Sequence, residues 1–159
     1  MAGGKQVMIL AIDESEHSFY ALEWTLAHLF SPSSSSLFKL LVIHAKYPST
    51  SVIGLAGPGS TDVLPLVEAD LNKTAERAIQ KAKDLCKAKE VNDADFEVIE
   101  GDARTVMCDA VDKYHASVLV LGSHGYGALK RVVLGSVSDH CSHHAHCSVM
   151  IVKKPKVHH

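Results

Sequence analysis

Apolar residues along this chain gather into five short blocks, and between the blocks they thin out to every third or fourth position. The blocks run from Lys5 to Asp13, Phe38 to Ala45, Phe96 to Ile99, Val118 to Leu121 and Ser148 to Lys153. Each is too short for a core helix and rich in Val, Ile and Leu, the pattern of a parallel strand buried on both faces. The intervening stretches read as helices. Ser15 is placed to cap the first, with Leu22, Thr25, Leu26 and Leu29 on one stripe; Tyr20 and Trp24 lie on another face and should pack beneath a neighbouring element or a partner chain. Thr61 or Asp62 should cap a long second helix marked by Leu64, Val67, Leu71, Ala75, Ala78, Ala82 and Leu85, with Pro65 in its tolerant first turn. Asp102 should cap a third, with Ala103, Val106, Met107, Ala110, Val111 and Tyr114 on its stripe, and a last helix runs from Gly135 to about Ala145. Strands alternating with helices predict an α/β fold, an open parallel sheet covered on both faces. Residues 31–36 are a short Ser-rich connector. The stretch Lys46 to Thr61, rich in Pro, Gly and Ser, has the length of a functional or mobile loop.

The most telling stretch follows the fourth block. Val118 to Leu121 stops at Gly122, Gly125 and Gly127 permit close backbone approach, and Gly135-Ser136 falls where a helix begins. Helix N-termini carry unpaired N–H groups and partial positive charge, so a strand–glycine loop–helix element suits a phosphate chain. Two familiar motifs are excluded by spacing. A P-loop would end in Gly-Lys-Ser or Gly-Lys-Thr, but here Leu134 precedes Gly135 and Ser136 follows it; a dinucleotide fingerprint would place a third glycine at Lys130. Asp13, at the end of the first strand, can accept hydrogen bonds from ribose hydroxyls or can serve as a turn or capping carboxylate, and spacing leaves both open.

Composition narrows the partners. The 159 residues are 47% apolar with a formal charge of −2, enough apolar mass for one domain over 1–159 with a core of about 5–153 and a flexible tail at 154–159. Mixed charges offer no long basic stripe for nucleic acid and no membrane patch. No apolar run reaches membrane-spanning length and Val7 to Ile12 is too short for a signal-peptide core, so a cytoplasmic setting is expected, the nucleus remaining open. There Cys86, Cys108, Cys141 and Cys147 would be reduced thiols, with Cys86 and Cys108 in helical stripes. The run Asp139 to Cys147 is dense in His and Cys; on a helix His140 and His144 share a face while Cys141 lies on another, and no second Cys/His pair elsewhere completes a tetrahedral set, which disfavours structural zinc. His124, Lys130 and Arg131 lie within the glycine loop, and no nucleophile–base pair marks a catalytic residue.

Gly122, Gly125 and Gly135-Ser136, with the text from Gly101-Asp102 through Val120-Leu121-Gly122-Ser123-His124-Gly125 and the opening Ile9-Leu10-Ala11-Ile12-Asp13-Glu14-Ser15, resemble the ATP-binding branch of the universal stress protein family. The run of His and Cys near the C-terminus is similar to the last helix of plant members, although Cys147 is followed by Ser148 where they commonly have proline. The resemblance implies a UspA-like, adenine nucleotide alpha hydrolase-like sheet in the order 3-2-1-4-5. It further implies that ATP or AMP is bound, with Mg²⁺ accompanying the phosphates. Asp13 and Gly122 would hold the ribose, the Ala45 backbone the adenine edge, and Gly125, Gly135, Ser136 and Val137 the phosphates. A homodimer through Ser148 to Lys153, an alternately exposed terminal strand, is expected on the same basis. The function so implied is a stress-response sensor or regulator. The alternatives are slow ATP hydrolysis, or a redox-responsive chaperone or scaffold with a vestigial nucleotide site.

Overall fold

A computed structural model describes residues 4–30, 37–49, 63–123 and 135–155. In chain order it contains β1 (Gln6–Ile12), α1 (Glu16–Leu29), β2 (Phe38–Lys46), α2 (Leu64–Ala88), β3 (Asp95–Glu100), α3 (Ala103–Tyr114), β4 (Val118–Gly122), α4 (Ser136–His144) and β5 (Ser148–Val152). The strands form one sheet in the order β3-β2-β1-β4-β5, and each neighbouring pair is parallel.

Side chains alternate across a strand, so adjacent apolar residues feed opposite faces of the sheet. Met8, Leu10, Ile12, Leu40, Val42 and Val120 form one core with Phe19, Leu22 and Leu26 of α1 and Ala78, Ala82 and Cys86 of α2. Ile9, Leu41, Ile43, Leu119 and Leu121 form the other with Val106, Met107, Ala110 and Val111 of α3 and Cys141 of α4. The continuous apolar runs of β1, β2 and β4 are thereby explained, since both of their faces are covered. Tyr20 and Trp24 are partly buried against the first core, and the Trp24 ring stacks on His28 at 4.3 Å.

The edges depart from that pattern. In β3 the side chain of Val98 is exposed and only Phe96, Glu97 and Ile99 are partly covered. In β5 exposure does not alternate: Val149, Met150 and Ile151 are all half-buried. An outer strand has a neighbour on one side only, so its cover depends on helix placement as well as residue pattern. Among the described residues no helix is long and apolar enough to cross a membrane.

Two of the expected caps form. Ser15 Oγ accepts from the Ser18 N–H at 3.2 Å, and the Asp102 carboxylate accepts from the Thr105 N–H at 3.4 Å. At α2 the N-cap position is Val63, which supplies no side-chain cap, with Pro65 in the first turn; Thr61, Asp62, the Ser-rich connector and most of the Lys46–Thr61 loop lie outside the described residues. Gly101 links β3 to α3 at φ +147°, donating its N–H to the Lys46 carbonyl at 2.9 Å. A Cβ there would sit 2.9 Å from Val106 Cγ2. Gly101→Ala therefore combines an unfavourable φ with a steric overlap, and should lower the unfolding free energy by about 1–3 kcal/mol. Urea denaturation checks this, and an unchanged midpoint would show that the turn relaxes freely.

Candidate functional site

The winding direction reverses between β1 and β4: the chain moves outward through β2 and β3 on one side and β5 on the other. In open α/β sheets the crevice beyond the C-terminal ends of two such strands is where ligands settle. Asp13 follows β1, while Gly122 ends β4 and Ser123 follows it. Leu10 is in register with Val120, so the two ends come out side by side.

Hydrogen bonds within the turn from β1 to α1 organise the first wall. Asp13 Oδ1 accepts from the Ser15 N–H at 2.7 Å, and the Asp13 N–H donates to Ser18 Oγ at 3.1 Å. The Ser18 hydroxyl proton has the carbonyls of Asp13 and Ser15 within reach, each at 3.1 Å. Asp13 thus serves as a turn carboxylate, while keeping a half-buried position at the crevice.

Gly122 closes the gap between the walls. A Cβ on this residue would lie 2.8 Å from the His17 carbonyl oxygen and 3.2 Å from the Ser18 nitrogen. The glycine therefore lets the first turn of α1 rest directly on the end of β4. Beyond it, the Ser123 carbonyl accepts from the Gly135 N–H at 2.6 Å, and the Ser138 hydroxyl has the carbonyls of Ser123 and Gly135 within 3.2 and 3.0 Å. These contacts fix the start of α4 against the end of β4. No side chain caps α4 among the described residues, and its first-turn amides, at Ser136 and Val137, carry the helix's positive end. The Gly135 N–H itself is already engaged with Ser123.

Ala45 lies near the end of β2. Backbone groups of successive strand residues point to alternate sides, and the Lys46 carbonyl points to the β3 side, where it accepts from Gly101. The Ala45 carbonyl is consequently turned to the β1 side, where β1 has given way to Asp13. Of the sequence-derived site residues, Asp13, Ala45, Gly122, Gly135, Ser136 and Val137 all border this end of the sheet. Gly125 lies outside the described residues, as do His124, Gly127, Lys130 and Arg131.

Sequence reasoning passed over three contributors: Ser18, Ser123 and His44. His44 Nδ1 is 3.1 Å from the Ile12 carbonyl, and because a carbonyl only accepts, Nδ1 carries the proton. The one signal available was a polar residue interrupting an apolar run at a strand end. Burial pushes the His44 pKa down, opposed by the Ile12 carbonyl and the charges of Asp13 and Glu14. Around the mouth, Arg77 of α2 pairs with Glu14 at 3.1 Å and Lys46 donates to Asn72 at 2.7 Å. Lys154 pairs with Glu16 at 2.8 Å and holds its carboxyl below the usual range.

Because folded His44 holds a proton less tightly than unfolded His44, its contribution to stability is complete above about pH 6.5 and is lost as pH falls below that value. His44→Gln keeps a donor for the Ile12 carbonyl but gains no proton. Its urea midpoint should fall less than the parent's between pH 7 and pH 5, and identical acid limbs in the two proteins would contradict this reading of His44.

A parallel sheet in the order three-two-one-four-five, with helices on both faces, defines a UspA-like, adenine nucleotide alpha hydrolase-like fold. A sequence model of the universal stress protein family matches residues 6–153, and the chain belongs to that family, among members of plant type. Universal stress protein PHOS34 of Arabidopsis thaliana is 29% identical over 171 residues, covering 97% of this chain; the chain spans 64% of that protein's length. The universal stress protein A-like protein of Arabidopsis thaliana is 30% identical over 142 residues, 84% of this chain and 77% of that protein. A universal stress protein family protein from Arabidopsis thaliana, solved with AMP bound, superposes with a TM-score of 0.67 at 21% identity, covering 94% of this chain and 92% of that one.

Proposed function

We propose that this chain binds an adenine nucleotide, ATP or AMP, in the crevice between β1 and β4, and acts as a cytoplasmic stress-response sensor or regulator. The observation that carries the reading is the meeting of a carboxylate, a strand-end carbonyl and an uncapped helix N-terminus at one edge of the sheet. Each matches a different part of a nucleotide. The Asp13 carboxylate takes the ribose hydroxyls beside Gly122, the Ala45 backbone takes the adenine edge, and the N–H groups of Ser136 and Val137 with the Ser136 hydroxyl take phosphate. Gly135, expected to offer its N–H to phosphate, instead donates it to the Ser123 carbonyl and stands at the N-cap of α4 without a side chain to cover the site, and Gly125 would supply a further phosphate contact. Mg²⁺ would accompany a polyphosphate, neutralising charge that main-chain amides alone only share. AMP bound to the Arabidopsis relative supports the same ligand class.

The thiol-based alternative is less favoured by the chemistry of the cysteines. Burial, together with the neighbouring Cys108 and Cys147, pushes the Cys141 thiol up to about 12, and burial pushes Cys86 up to about 11. The thiolate is the reactive form, and burial raises Cys147 as well, so neither Cys141 nor Cys147 is activated toward oxidation by its surroundings.

Mass spectrometry of nucleotide released from the freshly purified protein, with ATP and AMP titrations, tests the proposal. Asp13→Asn preserves an acceptor for the Ser15 N–H but removes the charge offered to ribose, and should weaken binding about tenfold or more. A parent protein that releases no adenine nucleotide and takes up neither ligand would overturn the assignment.

A homodimer is proposed through β5, the outer strand beyond β4, whose half-buried Val149, Met150 and Ile151 stand ready for further cover. Pairing with the same strand of a second copy about a two-fold axis would satisfy its open backbone edge. Sedimentation velocity at micromolar concentration should show a dimer, and a persistent monomer would exclude it.

A further inference from the structure

Four histidines fall within the span 140–146, where α4 ends and the chain turns toward β5, and they divide into two kinds. Two are matched with carboxylates. His143 Nε2 lies 3.7 Å from Asp139 Oδ1 one turn back on the same helix, and His146 Nδ1 lies 3.0 Å from Asp112 Oδ1 of α3. The other two face each other. His140 and His144, also one turn apart, bring their ring centroids to 4.4 Å with a tilt of 33°.

We propose that His140 and His144 form a two-ligand binding site for a divalent transition-metal ion of the nickel, copper and zinc class, completed by water. A cation can draw on the nitrogen lone pairs of two imidazoles held this close. Imidazole nitrogen suits these borderline metals rather than magnesium or calcium, which prefer oxygen. The i, i+4 spacing on a formed helix already places both rings on one face, so convergence of their in-plane lone pairs on one ion requires side-chain rotation and no change of backbone. The location adds to the attraction, because a helix C-terminus carries partial negative charge. Among the described residues no group of three or more His, Cys, Asp or Glu side chains could hold a metal, so the site is bidentate, open to water and exchangeable. His144 ends α4 and His140 stands at its middle, one turn beyond Ser136, so the pair is set apart from the first-turn amides by about one turn and its argument does not rest on the nucleotide reading.

Equilibrium dialysis of the intact chain against Ni²⁺ at pH 7.5 tests the site. About one ion per chain should bind at micromolar concentration, and His140→Ala or His144→Ala should each weaken that binding about tenfold or more. The double variant should lose little beyond either single one, because removing one ligand already breaks the chelate. His143→Ala should stay within about twofold of the parent, as should the pair His158→Ala with His159→Ala, which tests the terminal histidines. Because metal displaces protons, occupancy should also fall in acid. Imidazole resonances of His140 and His144 should broaden before those of His143 and His146. Absence of Ni²⁺ binding below about 100 μM would overturn the proposal, as would single variants that bind like the parent or binding lost only with the terminal pair.

Discussion

The close approach of α1 to β4 at Gly122 is the constraint on which the rest of the crevice depends. With only 2.8 Å between the position of a Cβ and the His17 carbonyl oxygen, any side chain there would force the helix and the strand apart. The N-cap Ser15 and first-turn Ser18 of α1 hold Asp13 by three kinds of hydrogen bond: to its carboxylate, its amide and its carbonyl. Displacing the helix would therefore displace the carboxylate. The same strand end carries Ser123, whose carbonyl positions Gly135 at the start of α4. One missing methyl group thus governs the relation between two helix N-termini and a strand edge. This steric role stands apart from any contact that Gly122 itself makes with a ligand.

Much of the fold was legible because parallel strands covered on both faces leave an unambiguous trace. Met8 and Leu10 belong to one core and Ile9 to the other, so an unbroken apolar run at β1 is what burial on both sides requires. The helices announced themselves by stripe and cap, as at Asp102 with Val106, Met107, Ala110 and Val111. Strand order was carried by the family resemblance, since periodicity does not say which strand lies beside which. The edge strands were less legible for a physical reason: exposure of Val98 and the even half-burial of Val149 to Ile151 depend on which helix overhangs them, a tertiary property absent from local pattern.

The candidate site divides along similar lines. Asp13 was visible at a strand end, but whether it belongs to a turn or to a ligand was not a choice that spacing could make. The turn role is present, through Ser15, and a carboxylate with two oxygens can combine it with another. His44 escaped notice because its partner, the Ile12 carbonyl, is 32 positions away and becomes adjacent only through the β1–β2 register. Ser18 and Ser123 looked like ordinary loop and helix serines, since their importance comes from backbone groups that folding brings within reach.

Several of the polar groups gathered at this crevice belong to the main chain, among them the Ala45 carbonyl and the first amides of α4, and Gly122 permits the close approach that brings its walls together. Main-chain donors and acceptors are present whatever the side chain, provided the backbone path is kept. Selection on such a site acts chiefly on steric permission, through residues that must remain small, and on the few side chains that brace the turns. Surface and helix-facing positions are then free to vary so long as hydrophobic volume and period survive. The rest of α4 follows the opposite logic. A pair of imidazoles one turn apart exists only while both side chains are histidine, so it can appear or vanish by single substitutions without disturbing the sheet. The two parts of one helix therefore differ in how tightly their chemistry is bound to the fold, the first through backbone geometry and the second through residue identity alone.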